Sequence, residues 1–167
     1  MRVDPRLIVL VALAGASFPG ADELEGQAPD PGTRPDTVRI LAYNIHHGAG
    51  MDEILDLERV ADLIRRVDPD LVALQEIDSA TVRTGRVDQA AELGRLTGLT
   101  SLFGRFMEYQ GGAYGMALLS RWPVEDFQNL RLPDGAEPRT SVAALVRSPR
   151  TGRVALQSHR RGLLQAG

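Results

Sequence analysis

A chain of 167 residues, 43% hydrophobic and 25% charged, has the size of one domain with appendages, and that balance excludes a largely disordered, a collagen-like or a polytopic membrane chain. Nineteen basic residues, all of them arginine, stand against 22 acidic ones, and the net charge of −3 points to no class of partner. Cysteine is absent, which excludes disulfides and cysteine-ligated zinc or iron–sulfur sites.

Arg2 and Arg6 precede an apolar run from Leu7 to Ala14, and Ala14-Gly15-Ala16 follows it. Positive start, short apolar stretch and small-residue site are the order of a secretory leader, with cleavage expected after Ala16, although Asp4 and Pro5 are atypical of one. An ordinary buried segment is the alternative. The run is far shorter than the ~20 residues of a membrane span, so none is expected after cleavage, and the expected location is secreted or periplasmic. Residues 17–36 are rich in Pro, Gly and acids and read as a linker. The folded domain is expected over 37–159, with a divergent tail over 160–167.

Within that domain, Val38-Arg39-Ile40-Leu41-Ala42-Tyr43 reads as a strand ending at Asn44, before a loop with Gly48 and Gly50. Leu55, Val60, Leu63, Ile64 and Val67 recur at helical steps and predict an amphipathic helix over 55–67, stopped by Asp68-Pro69-Asp70. Leu71-Val72-Ala73-Leu74 is the continuous apolar run of a strand covered on both faces. A second helix is predicted over 88–96, ended by Gly98. Strands follow over 100–103, 115–120, 124–130, 141–146 and 154–157, with a hairpin turn at 148–152. The predicted class is α/β, a mixed sheet with helices on one face.

Chemistry is expected at the strand ends, where loops of an open α/β sheet converge. Asn44 closes the first strand of the domain and Gln75-Glu76 the second. If these strands are parallel neighbours, amide and carboxylate enter one crevice, a hard-oxygen pair suited to Mg²⁺. Taken singly, the Asn also reads as a turn or cap and the Glu as a solvated rim. His46 and His47 on an extended segment would diverge, which favours loop surface or a supporting role over a shared metal.

The segments 38–46 (VRILAYNIH), 69–78 (PDLVALQEID) and 114–121 (YGMALLSR), with weaker matches at 88–93 and 137–139, resemble the endonuclease/exonuclease/phosphatase superfamily, deoxyribonuclease-like metal-dependent phosphoesterases. The resemblance implies a four-layer α-β-β-α sandwich, of which this chain supplies the first half. It implies a site in which Asn44 helps hold metal and phosphate and Glu76 is the principal carboxylate for Mg²⁺ (or Mn²⁺). Tyr114, Arg83 and Arg139 would line the phosphate site. His159, in Gln157-Ser158-His159, falls where the family has its catalytic histidine, and a frayed surface tail is its other reading.

The resemblance stops short: Arg160-Arg161-Gly162 stand where Leu-Asp is expected, and the family's later G-D-x-N and S-D-H segments are not in the chain. A truncated or frame-disrupted member, with one sheet face left bare, is the expectation. Three functions follow. The first is an Mg²⁺-dependent phosphodiester or phosphomonoester hydrolase lineage, its activity reduced or lost with those segments. The second is a secreted non-catalytic module binding a phosphate ligand or protein through the basic stretch 121–167, which carries 8 Arg against 4 acids. The third is a product that does not persist. The phosphoester class and the oligomeric state are left open, and the acidic front half gives no strong nucleic-acid signal.

Overall fold

A computed structural model of the chain describes residues 7–12, 38–133 and 139–160. The expected linker, the Ala16 cleavage site and the tail beyond Arg160 lie outside them.

The strands are β1 (Leu7–Ala12), β2 (Val38–Asn44), β3 (Leu71–Ser79), β4 (Thr100–Tyr109), β5 (Gly112–Ser120), β6 (Val124–Leu132), β7 (Arg139–Ser148) and β8 (Gly152–Arg160), and the helices are α1 (Leu57–Val67) and α2 (Gln89–Thr97). They form a five-stranded sheet in the order β1-β2-β3-β5-β4 and a three-stranded sheet in the order β6-β7-β8. β1, β2 and β3 run parallel, and β5 pairs antiparallel with both β3 and β4. The fold is therefore α/β with a mixed sheet, as predicted. The apolar run expected as a leader forms β1, beside β2.

Local chemistry explains the helix limits. Asp56 caps α1 by accepting the Arg59 N–H at 3.0 Å, and Asp88 caps α2 by accepting the Ala91 N–H at 3.1 Å. The helices end on left-handed residues, Asp68 after α1 and Gly98 after α2. α1 starts at Leu57 rather than Leu55 because Asp56 takes the cap.

Two cores flank the larger sheet. On one face Leu41, Val72, Leu74, Ile77 and Leu119 meet Val60, Ala61 and Ile64 of α1 and Ala90 and Leu93 of α2. On the other face Leu71, Ala73, Met116 and Leu118 meet Val142, Ala144, Val146 and Leu156 of the smaller sheet. The bare sheet face expected from the sequence is thus covered over β3 and β5 by strands of this same chain. Met116 and Val142 are both fully buried.

Asp70 joins the sheets at the end of the strands opposite Glu76. Fully buried, it accepts the Arg39 N–H at 2.9 Å and the Arg150 Nη2 hydrogen at 2.8 Å from the β7–β8 hairpin. That hairpin turns where predicted, pairing Ser148 with Gly152.

Candidate active site

The parallel register pairs Asn44 with Gln75, and the Ile45 N–H donates to the Gln75 carbonyl at 3.1 Å. Asn44 therefore ends β2 beside Gln75, as the sequence predicted, whereas Glu76 does not close its strand, since β3 runs on to Ser79.

Glu76 is set apart by a break in alternation. Val72 and Leu74 face the helices, whereas Leu71 and Ala73 face the smaller sheet. Gln75 follows the latter parity, its Nε2 donating to Ser158 Oγ at 3.4 Å. Strict alternation would then turn Glu76 toward the helices and Ile77 away from them. Instead Ile77 lies in the helix-side core at 0% exposure. The register jumps from Gln75↔Met116 to Ile77↔Gly115, so Glu76 is the extra residue of a β-bulge. Its backbone is left-handed, at φ 61°, and its side chain is half-buried. The bulge takes Glu76 out of the alternation that would have set it on the α-helical face.

The loop after Asn44 corrects the expectation of diverging histidines. His46 and His47 have φ values of 47° and 46° in a short 3₁₀ turn rather than extended backbone, and their ring centroids are 4.5 Å apart. Asn44 Oδ1 accepts the His46 N–H at 3.0 Å, which uses one of its lone pairs and leaves the other. His47 has its pKa lowered, first by burial and then by the positive charges of Arg83 and His46, with Asp78 and Glu76 pulling the other way. Gln89 accepts the Asp78 N–H and donates to the His47 carbonyl, and Arg83 bonds Asp78, which puts His47, Asp78 and Arg83 in one neighbourhood.

Asp78 and Arg83 form its centre. Asp78 is 0% exposed, accepts Arg83 Nε–H at 2.6 Å and an Arg83 Nη2 hydrogen at 2.8 Å, and takes a further bond from Thr81 Oγ1 at 2.7 Å. The guanidinium lies 4.6 Å from the Tyr109 ring centre and 5.5 Å from that of Tyr114. Its Asp78 partner holds the Arg83 pKa above the ordinary value against the effect of burial. Arg83, predicted as a phosphate contact, is thus held bidentate by a carboxylate, with its Nη1 hydrogens outside those two bonds. Tyr114 is cross-strand partner of Asp78 and belongs to this cluster.

His159 is exposed on β8, opposite Ser141, while its neighbour Ser158 is buried toward Gln75 and Met116. The strand carrying His159 therefore reaches β3 at Gln75, with the imidazole directed away from that buried contact. The Arg139 side chain lies outside the described residues. Sequence reasoning gave no role to Asp78, Gln89 or Tyr109. The available signal was a polar Gln89 among Ala90 and Leu93 on a face otherwise apolar.

Among the described residues no group of three or more His, Asp or Glu is placed to hold a metal. One carboxylate and one neutral amide oxygen nevertheless match the donor set of Mg²⁺, a hard ion that keeps several waters.

The sequence profile of the Endonuclease/Exonuclease/phosphatase family matches residues 41–164. The chain is 30% identical over 130 residues to the uncharacterized protein YbhP of Escherichia coli K12, covering 72% of this chain and 51% of that protein. It thus spans about half the length of the curated relatives it matches. An endonuclease/exonuclease/phosphatase from Beutenbergia cavernae superposes with TM-score 0.63 at 22% identity, over 77% of this chain and 39% of its own. Truncated Caenorhabditis elegans TDP2 superposes with TM-score 0.57 at 19% identity, over 77% and 48% respectively.

Proposed function

The chain belongs to the endonuclease/exonuclease/phosphatase family, and on that premise we propose that it carries the metal- and phosphate-binding half of a divalent-metal-dependent phosphoesterase, exported to the periplasm or beyond. The observation that carries the reading is that Asn44, at the end of β2, pairs with Gln75 of the parallel strand β3, and that the next residue, Glu76, is the bulged one.

Glu76 and Asn44 would hold Mg²⁺ or Mn²⁺. Bound there, the ion supplies charge stabilisation of a phosphoryl oxygen and acidifies a water. The chain's own groups do the rest. Asp78 fixes the guanidinium of Arg83 so that its remaining hydrogens meet a phosphate in a set orientation. Tyr109 and Tyr114 back the guanidinium and limit water around it. His47, with its pKa lowered, adds a neutral imidazole to the cluster at pH 7.

The non-catalytic reading through the basic C-terminal stretch is less favoured. Arg121, Arg147, Arg150 and Arg153 pair with Asp68, Asp70 or Glu125.

Hydrolysis of bis(p-nitrophenyl) phosphate and p-nitrophenyl phosphate tests the proposal. Turnover should require Mg²⁺ or Mn²⁺ and be abolished by a chelator. Glu76→Ala should lower it by at least about a hundredfold, because metal charge stabilisation is worth several kcal/mol. A folded sample that is inactive with either ion overturns the catalytic reading. Intact mass after expression in an exporting host checks removal of residues 1–16.

A further inference from the structure

Gln89 is the first residue of α2 and is 1% exposed, yet it is an amide. Both of its ends are used. Oε1 accepts the Asp78 N–H at 2.9 Å, and Nε2 donates to the His47 carbonyl at 2.7 Å. Asp78 lies two residues beyond Glu76, and His47 three beyond Asn44. One buried side chain thus ties the segment leaving the Glu76 bulge to the loop leaving Asn44.

We propose that Gln89 is a positioning residue that sets the Asn44 loop against the β3 bulge and so fixes the distance between the two metal-holding groups. This deepens the phosphoesterase reading and rests on it. Only an amide of this length meets both demands, for it presents an acceptor at one end and a donor at the other. Glutamate would face the His47 carbonyl with a second acceptor, and methionine would satisfy neither partner. The loop is closed down on the amide: a Cβ placed on Gly48 would lie 3.3 Å from Gln89 Nε2. At φ 82°, Gly48 also permits the left-handed turn that carries the chain past it. Helix α2 needs no such amide for its own start, since Asp88 already caps it.

The test is Mn²⁺ titration by calorimetry on the full chain, wild type against Gln89→Glu and Gln89→Met, each first shown folded by circular dichroism and melting. Two variants are used because the glutamate buries a charge and the methionine does not. In wild type, binding should be abolished by Glu76→Ala. In either Gln89 variant that folds, the dissociation constant should rise about tenfold or more, the usual effect of losing a support behind a metal ligand. A residue that served only to stabilise α2 would lower the melting temperature and leave the affinity of the folded protein unchanged. Affinity within about twofold of wild type in a folded variant therefore overturns the proposal. If wild type itself binds no Mn²⁺, the metal reading fails, and the positioning role is decided by nuclear magnetic resonance without metal. A displaced Asn44 side-chain amide signal in the variants then supports it, and an unmoved one overturns it.

Discussion

Glu76 adopts a left-handed φ of 61° inside a strand, a conformation that a residue with a Cβ takes at a cost on the order of 1 kcal/mol. The neighbouring residues hold the bulge in place, because Gln75 and Ile77 are both anchored, one to Ser158 and the other in the helix-side core. Strain of this kind persists where the surrounding structure over-determines it, and here it coincides with the carboxylate that the site needs. Stability and function should therefore separate at this position. Glycine adopts the left-handed region without penalty, so Glu76→Gly is expected to be about 1 kcal/mol more stable than Glu76→Ala in denaturant unfolding, although both lose metal binding. Equal stabilities would show that the bulge carries no backbone cost. The sequence made Asn44 legible as a strand-end polar group because it closes an apolar run, and it marked Glu76 by the same sign although β3 continues to Ser79. It could not disclose the bulge: Leu74-Gln75-Glu76-Ile77 reads the same whether or not one residue is unpaired, and only the burial of Ile77 beside Leu74 reveals it. The paired histidines were misread for a related reason, since the left-handed turn at 46–47 carries no glycine until Gly48.

At the scale of elements, the two helices were readable because capping chemistry and apolar spacing agree, with Asp56 and Asp88 before the runs and Gly98 after the second. Strand ends were less so. β4 runs to Tyr109 rather than Phe103, since pairing with β5 continues past a second bulge at Phe106. Pairing of this sort is a property of the partner strand and leaves little mark on the paired residues themselves. What brings the sheets together is also a matter of particular contacts. Gly104 of β4 faces Val142 of β7 so closely that a Cβ on the glycine would lie 1.9 Å from Val142 Cγ1. The missing side chain is therefore what lets the smaller sheet settle on β4. Gly104→Ala should cost about 1–3 kcal/mol as an overpacking change. In a Val142→Ala background the obstructing methyl is gone, and the added cost of the alanine should shrink by at least about 0.5 kcal/mol. Urea unfolding of the two single variants and the double variant measures this coupling; strict additivity would mean that the sheets are spaced by other contacts.

For the molecule as a whole, the issue is whether a chain spanning about half the length of its curated relatives closes a core. Its sequence suggested an exposed sheet face, and each large apolar side chain left wet forfeits ~1.5–3 kcal/mol against a total stability of only ~5–15 kcal/mol. A bare face follows when all the strands are placed in one mixed sheet with helices on one side. The apolar residues of the last three strands at 142, 144, 146 and 156 alternate as those of a one-sided sheet do, but alternation says which face is buried and not what it is buried against. In the structure they cover Leu71, Ala73, Met116 and Leu118, and Asp70 with Arg150 pins the far end of the same contact. Helices on one side and a second sheet on the other leave the central strand β3 with both faces dry: Leu71 through Leu74 are at most 5% exposed. A structure closed in this way should unfold as one unit. The isolated chain is expected to show a single calorimetric transition with an enthalpy of about 80 kcal/mol near 60 °C, the value for roughly 120 ordered residues. Agreement between the calorimetric and van't Hoff enthalpies would establish that both cores melt together. A broad transition with a small fraction of that enthalpy would mean that the packing between β3–β5 and β6–β8 does not hold without further polypeptide.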